Sequence, residues 1–143
     1  MMLYIRILFF LLFFNICNFI YGDEYKMNQI VNVRVNNNDF KLVLYDNDTA
    51  RDFLSLLPLN INMNDLNRNE KYYYLDKNLK TKTESINNIK TGDFMLYGNN
   101  CIVLFYESFR TSYKYTKIGY IENFDNLKNI LGYDDVYIHF SID

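Results

Sequence analysis

The chain has 143 residues, a formal net charge of −2, and a composition that is 50% hydrophobic and 18% aromatic. That length builds one domain with a real core and not two, and so mild a charge is no indication of a nucleic-acid or acidic-ligand partner. Twelve Phe and fourteen Tyr, with no Trp and one Pro, favour a β-rich body whose rings fill a barrel or a sandwich.

Arg6 precedes a solid apolar run from Ile7 to Phe14, and Ile20-Tyr21-Gly22 ends in a small residue before Asp23-Glu24. This is the layout of a signal peptide over residues 1–22, followed by a domain over 23–143. An uncleaved anchor is the competitor, weakened by Asn15 and Asn18 inside the apolar run. Cys17 follows Ile16, where a lipoprotein signal requires a small residue. Cleavage removes Arg6 and no acid, so the 15 basic residues become 14 against 17 acidic ones, a charge of −3. Cys101 is then the only cysteine left, and no intramolecular disulfide can form even though export would permit one.

Val31, Val33 and Val35 alternate, as do Phe40, Leu42 and Leu44, with Asn36, Asn37, Asn38 and Asp39 between them: a hairpin with one face on a core. Residues 46–49 offer N-cap side chains, and Ala50, Phe53, Leu54 and Leu57 follow at helical spacing until Pro58. Leu59, Ile61 and Met63 alternate with asparagines, residues 67–70 turn, and Lys71 to Leu75 form another strand. Residues 81–88 have neither period and read as a surface loop anchored by Ile86 and Ile89.

Phe94 to Tyr97 and Cys101 to Tyr106 are apolar on both faces, which predicts a central hairpin covered on both sides. Gly98, Asn99 and Asn100 supply its tight turn. Residues 107–114 read as a second irregular loop. Lys117 to Ile121 is a strand whose Gly119 lets another backbone or a ring approach closely. Asn123 caps a helix bearing Phe124, Leu127, Ile130 and Leu131, Gly132 ends it in a left-handed conformation, and Val136, Ile138 and Phe140 close the chain. The expected fold is mainly β, with eight strands and two short helices.

This order of elements resembles the closed barrel of the cyclophilins, with a helix plugging each end. Thr49-Ala50-Arg51-Asp52-Phe53 is similar to the opening of that family's first helix, and Lys117-Ile118-Gly119-Tyr120-Ile121 with residues 125–130 to its Phe-Gly-x-Val strand and second helix. The set Leu56-Leu57-Pro58-Leu59, Glu70-Lys71-Tyr72-Tyr73, Gly92-Asp93-Phe94 and Leu104-Phe105-Tyr106 resembles the bacterial cyclophilin-like family of compact barrels. The resemblance spans Val31 to Ile142 and implies a closed eight-stranded cyclophilin-like β-barrel with two short capping helices. In the prolyl isomerases a Phe-His-Arg segment supplies an arginine that polarises the substrate amide, whereas the matching strand here reads Lys71-Tyr72-Tyr73-Tyr74-Leu75. Of Arg34, Arg51, Arg68 and Arg110, only Arg110 lies on a loop placed to reach a groove.

Tyr72 and Tyr74 share one strand face beside Glu70 and either line a ligand groove or pack within the sheet. Met95 and Tyr97 share a face that extends the same groove or belongs to the core. Phe105 matches the aromatic floor of the isomerase pocket in the resemblance, and plain core by its residue type. Glu70 opens a strand among aromatic residues, where desolvation raises a carboxyl pKa, unless it bonds nearby amides as a turn residue. Asp93 reads as a turn-former. His139 faces outward and, as the only histidine, anchors no histidine metal cluster; the zinc spacings, a nucleophile elbow and a phosphate-cradling glycine turn are all missing. No catalytic residue, metal or cofactor is expected.

The expected function is an exported barrel that binds a peptide or small apolar ligand against Glu70, Tyr72, Tyr74, Met95, Tyr97 and Phe105, with Arg110 within reach. Membrane contact is expected only through an uncleaved N-terminal segment, and no nucleic-acid partner is expected. A weak peptidyl-prolyl isomerase assisting extracytoplasmic folding is the alternative, and a component of an envelope assembly a third.

Overall fold

Alternating and doubly apolar runs become the eight main strands, which return on themselves. The computed structural model describes residues 28–143; the signal peptide expected over 1–22, Cys17 with it, and the first residues of the expected domain lie outside the described residues. The strands are β1 (Ile30–Val35), β2 (Asn38–Leu44), β3 (Leu59–Leu66), β4 (Glu70–Tyr74), β7 (Asp93–Tyr97), β8 (Cys101–Phe105), β10 (Lys114–Glu122) and β11 (Val136–Ser141). They are hydrogen-bonded in the order β2-β1-β11-β3-β4-β8-β7-β10, and β10 pairs again with β2, so the sheet is a closed antiparallel barrel.

Three two-residue strands were not legible in the sequence. Glu84–Ser85 (β5) pairs with the start of β10, and Asn88–Ile89 (β6) with Phe109–Arg110 (β9). Two residues are too short to display a period, which is why residues 81–88 and 107–114 read as irregular. For the same reason β10 begins at Lys114, three residues before its clear alternation.

Helix α1 (Asp48–Leu54) starts at Asn47, whose side chain accepts from the Ala50 amide at 2.8 Å and donates to the Lys117 carbonyl at 2.9 Å, tying the helix start to β10. Helix α2 (Leu127–Leu131) starts from Asn126 and not from Asn123, which takes a left-handed φ of 50° and leaves Phe124 exposed. Gly132 has the expected positive φ (61°) but an extended ψ of −163°, outside the left-handed helical region. In the central turn only Gly98 has positive φ; Asn99 and Asn100 instead accept the Leu79 and Leu75 amides through their carbonyls.

Antiparallel pairing of β2 with β10 sends the connections that follow them to opposite ends of the cylinder, so α1 plugs one end and α2 the other. Phe53 of α1 sits between Phe94 and Phe140, at ring separations of 5.0 and 5.5 Å. Such edge-to-face contacts add about 0.5–1.5 kcal/mol each to the burial of the rings. Leu127 and Leu131 of α2 join the same core, with Val33, Leu42, Met63, Ile102 and Ile118 among the residues that fill the interior.

One charged side chain enters that interior. Lys71 is fully buried and spends its three donors on Asp65 Oδ1 (2.8 Å), the Gly132 carbonyl (2.9 Å) and the Asp134 carbonyl (2.6 Å), closing the α2 end of the barrel. Asp65 also accepts from the Tyr106 hydroxyl. Burial pushes the Asp65 carboxyl up, but the bonds from Lys71 and Tyr106 outweigh it and its net shift is downward. Replacing Lys71 with Ala leaves Asp65 uncompensated and is expected to lower stability by about 3–5 kcal/mol. Arg34→Ala, which removes an exposed pair with Asp39, is expected to cost at most about 1 kcal/mol; urea denaturation of both variants checks the contrast.

The barrel closes where β10 meets both β7 and β2, and Gly119 stands at that junction opposite Phe94 and Leu44, next to a register shift in β10. A Cβ there would lie 2.3 Å from the Val43 carbonyl oxygen, a backbone atom that cannot swing away. Gly119→Ala is therefore expected to destabilise by about 3 kcal/mol, read as a lower denaturation midpoint; unchanged stability would show that the seam yields.

Candidate functional site

With the interior filled, the site lies on the outer face of β4, β8, β7 and β10. Strand alternation sends Glu70, Tyr72 and Tyr74 outward from β4, while Lys71 and Tyr73 go to the interior side. The register sets Glu70 opposite Phe105, Tyr72 opposite Val103 and Tyr74 opposite Cys101, and on the far side of β8 it sets Met95 opposite Val103 and Tyr97 opposite Cys101. The outer face is thus one ordered surface of tyrosines and apolar residues.

The two segments that read as loops divide this surface. Ile86, Ile89 and Phe109 pack over Phe105, Met95 and Tyr115 to form a second, smaller core outside the barrel. Phe105 is completely buried there, with the rings of Phe109 and Tyr115 at 5.7 and 5.5 Å. The remainder is an open groove of about 340 Å³ lined by Glu70, Tyr72, Tyr74 and Tyr97 together with Leu66, Cys101, Val103, Tyr113 and Tyr115.

Four of the seven residues singled out in the sequence, Glu70, Tyr72, Tyr74 and Tyr97, therefore come together on one groove. Met95 and Phe105 lie beneath the covering segments and not on its wall. Arg110 is elsewhere: it pairs with Asn88 in the β6–β9 ribbon and borders a separate depression with Asn87, Asn88, Thr111 and Ser112. Cys101 and Val103 were missed although β8 alternates Cys101, Val103, Phe105, since an apolar strand buried on both faces does not reveal which face is outer; Leu66 was missed because β3 runs on past the alternation that ends at Met63. Tyr113 and Tyr115 were missed because β10 starts inside a stretch read as loop. Asp93 forms its turn by accepting the Lys90 amide at 2.8 Å, and His139 faces outward on β11.

Glu70 is the charged group of the groove. It is only 8% exposed, and no described residue offers its carboxyl a hydrogen bond. Burial, and secondarily the charge of Asp65, pushes it up to about 7. Burial likewise drives the Cys101 thiol up to about 11 and the Tyr115 hydroxyl up to about 12, each further raised by Glu70. Cys101 is thus a thiol at neutral pH, unfit as a nucleophile.

A model described as the cyclophilin-like family matches residues 33–142. The solution structure of a hypothetical protein from Archaeoglobus fulgidus superposes with a TM-score of 0.58 at 19% sequence identity, spanning 82% of this chain and 97% of that one, a likeness of fold. No curated protein matches.

The raised Glu70 pKa has a definite sign for stability. A carboxyl near 7 in the folded chain and 4.5 in its ordinary state favours folding fully below about pH 4.5, and this contribution is lost as pH rises through about 7. Glu70→Gln is expected to match the parent near pH 4 and to exceed it at pH 8 by on the order of 1–2 kcal/mol, discounted because the groove is open to water. Paired urea titrations at the two pH values measure it, and equal stability at pH 8 would refute it.

Proposed function

The chain belongs to the cyclophilin-like family, and from that premise we propose that it is an exported binding module, taking a small ligand or a peptide side chain in the outer groove. The observation that carries this reading is the groove itself: a concavity of about 340 Å³, within the usual range for small-ligand sites, walled by five tyrosines on a rigid closed sheet. Tyrosines supply large contact area with polar tips at low entropic cost. Export rests on the leader-like layout of residues 1–22, and a mature chain starting at Asp23 is the form in which the module would act.

Prolyl isomerisation is the less favoured reading. Amide resonance gives a barrier of about 18–20 kcal/mol, and the resemblance to the isomerases implies a cationic N–H donor aimed at the amide. Among the described residues none of the groove's lining side chains is a lysine or arginine. Lys71 is consumed inside the barrel and Arg110 borders another depression.

A thermal-shift screen of the protein from Asp23 onward against short peptides and small organic molecules is expected to find ligands that raise the melting temperature. Saturation to 100 times Kd corresponds to about 2.7 kcal/mol. Tyr97→Ala, at a residue already 45% exposed, is expected to fold and to lose most of the shift. A library in which nothing shifts the transition would overturn the proposal, and a proline-peptide assay running above the uncatalysed rate would favour the isomerase instead.

A further inference from the structure

Glu70 is a mostly buried carboxyl on the wall of an open groove, with no partner among the described residues. A carboxyl buried to this degree ordinarily sits against a cation or several donors, because an uncompensated buried charge is costly. Here it lines a groove in which no cationic side chain stands among the described residues, and none of them hydrogen-bonds it. The neighbouring Asp65 carboxylate is of the same sign and pushes the Glu70 pKa further up.

The walls have the complementary chemistry. Tyr72 and Tyr74 meet edge to face at 5.9 Å on one side, and Tyr97 contacts Tyr113 at 6.0 Å and Tyr115 at 5.7 Å on the other. Aromatic faces carry negative potential and attract cations, most strongly when water is excluded. Between them Val103 and Cys101 of β8 offer an apolar bed, and Leu66 borders Glu70 from β3. An anion would be repelled by Glu70, and a neutral apolar ligand would leave the carboxylate unpaired. A bare metal ion would find one carboxylate among rings and methyl groups in place of the oxygen set it needs, and no cluster of three or more His, Cys, Asp or Glu suited to a metal occurs among the described residues.

We propose that the occupant is an alkyl-substituted ammonium group, its charged head held against the Glu70 carboxylate, its substituents against Val103 and Leu66, and tyrosine rings on both sides. This deepens the binding-module reading and rests on it. The same chemistry is carried by a free small amine or by an amine side chain on a peptide. The titratable groups that interact with Glu70 are Asp65 on β3, whose side chain lies on the interior side with Lys71, Cys101 on β8 and Tyr115 on β10, with Tyr72 next along the same face of its own strand. Burial holds the Cys101 thiol and the Tyr115 hydroxyl neutral well above neutral pH, and Asp65 is held charged by Lys71, so Glu70 is the carboxyl whose charge changes near pH 7.

Calorimetric titration of the protein from Asp23 onward with choline, with its neutral isostere 3,3-dimethylbutanol, and with a trimethyllysine peptide tests this at pH 6 and pH 8. Choline or the peptide is expected to bind at least tenfold tighter than the neutral isostere. With Glu70 near 7, the affinity is expected to be about tenfold weaker at pH 6 than at pH 8. The tighter of choline and peptide tells the small-molecule source from the peptide one. Glu70→Gln is expected to remove the pH dependence and weaken the cation by about tenfold or more, while Tyr97→Ala weakens binding and keeps the pH dependence. Equal binding of the neutral isostere, or full affinity in Glu70→Gln, would overturn the ammonium inference and leave the groove as a binding site. Absence of binding by all three probes would overturn the inference too, and together with an empty thermal-shift screen would remove the binding-module reading beneath it.

Discussion

The close passage of the Val43 carbonyl over Gly119 is the constraint on which the architecture depends. Only at a residue without a side chain can β10 lie between β7 and β2 and bond to both, and only then does the sheet have no free edge. Closure turns the inward face of every strand into core, filled by aliphatic residues, by the Phe53, Phe94 and Phe140 rings, and by a helix at each end. Among the described residues the inward side chains pack into one core, and the tyrosine-lined groove lies on the outer face.

On the outside the surface is divided by two short segments. Residues 84–89 and 109–110, paired through β5, β6 and β9, lay Ile86, Ile89 and Phe109 over one part of the outer sheet and seal Phe105 and Met95 beneath them. The uncovered part is the groove. An aromatic residue that in an isomerase-like reading would floor a pocket is here a buttress for its rim, and the floor falls to Val103 and Cys101.

Strand β4 carries the electrostatic contrast of the molecule in two consecutive residues. Lys71 points inward and has every donor satisfied by Asp65 and two carbonyls; Glu70 points outward into the open groove, mostly buried, with no described donor. The cation closes the barrel end and is unavailable for chemistry. The anion, unpaired, is the feature of the groove that calls for a partner.

Alternation of apolar residues at period two, the asparagine and glycine turns, and the helical stripe ending at Pro58 were enough to determine eight strands and two helices, because each is a local signal; the family of barrels came from the likeness of motifs such as Leu56-Leu57-Pro58-Leu59 and Gly92-Asp93-Phe94 and of their order. The shared face of Tyr72 and Tyr74, the outward His139 and the close approach at Gly119 were legible for the same reason, though not which way the tyrosine face turns. Strands of two residues carry no period, so β5, β6 and β9 were invisible, and with them the covering layer that buries Phe105 and removes Arg110 from the groove. Which face of the doubly apolar β8 turns outward, that Tyr113 and Tyr115 join Tyr97, and that Glu70 has no partner while Lys71 has three were decided only by closure of the barrel. These are contacts between strands far apart in the chain, and no local pattern encodes them.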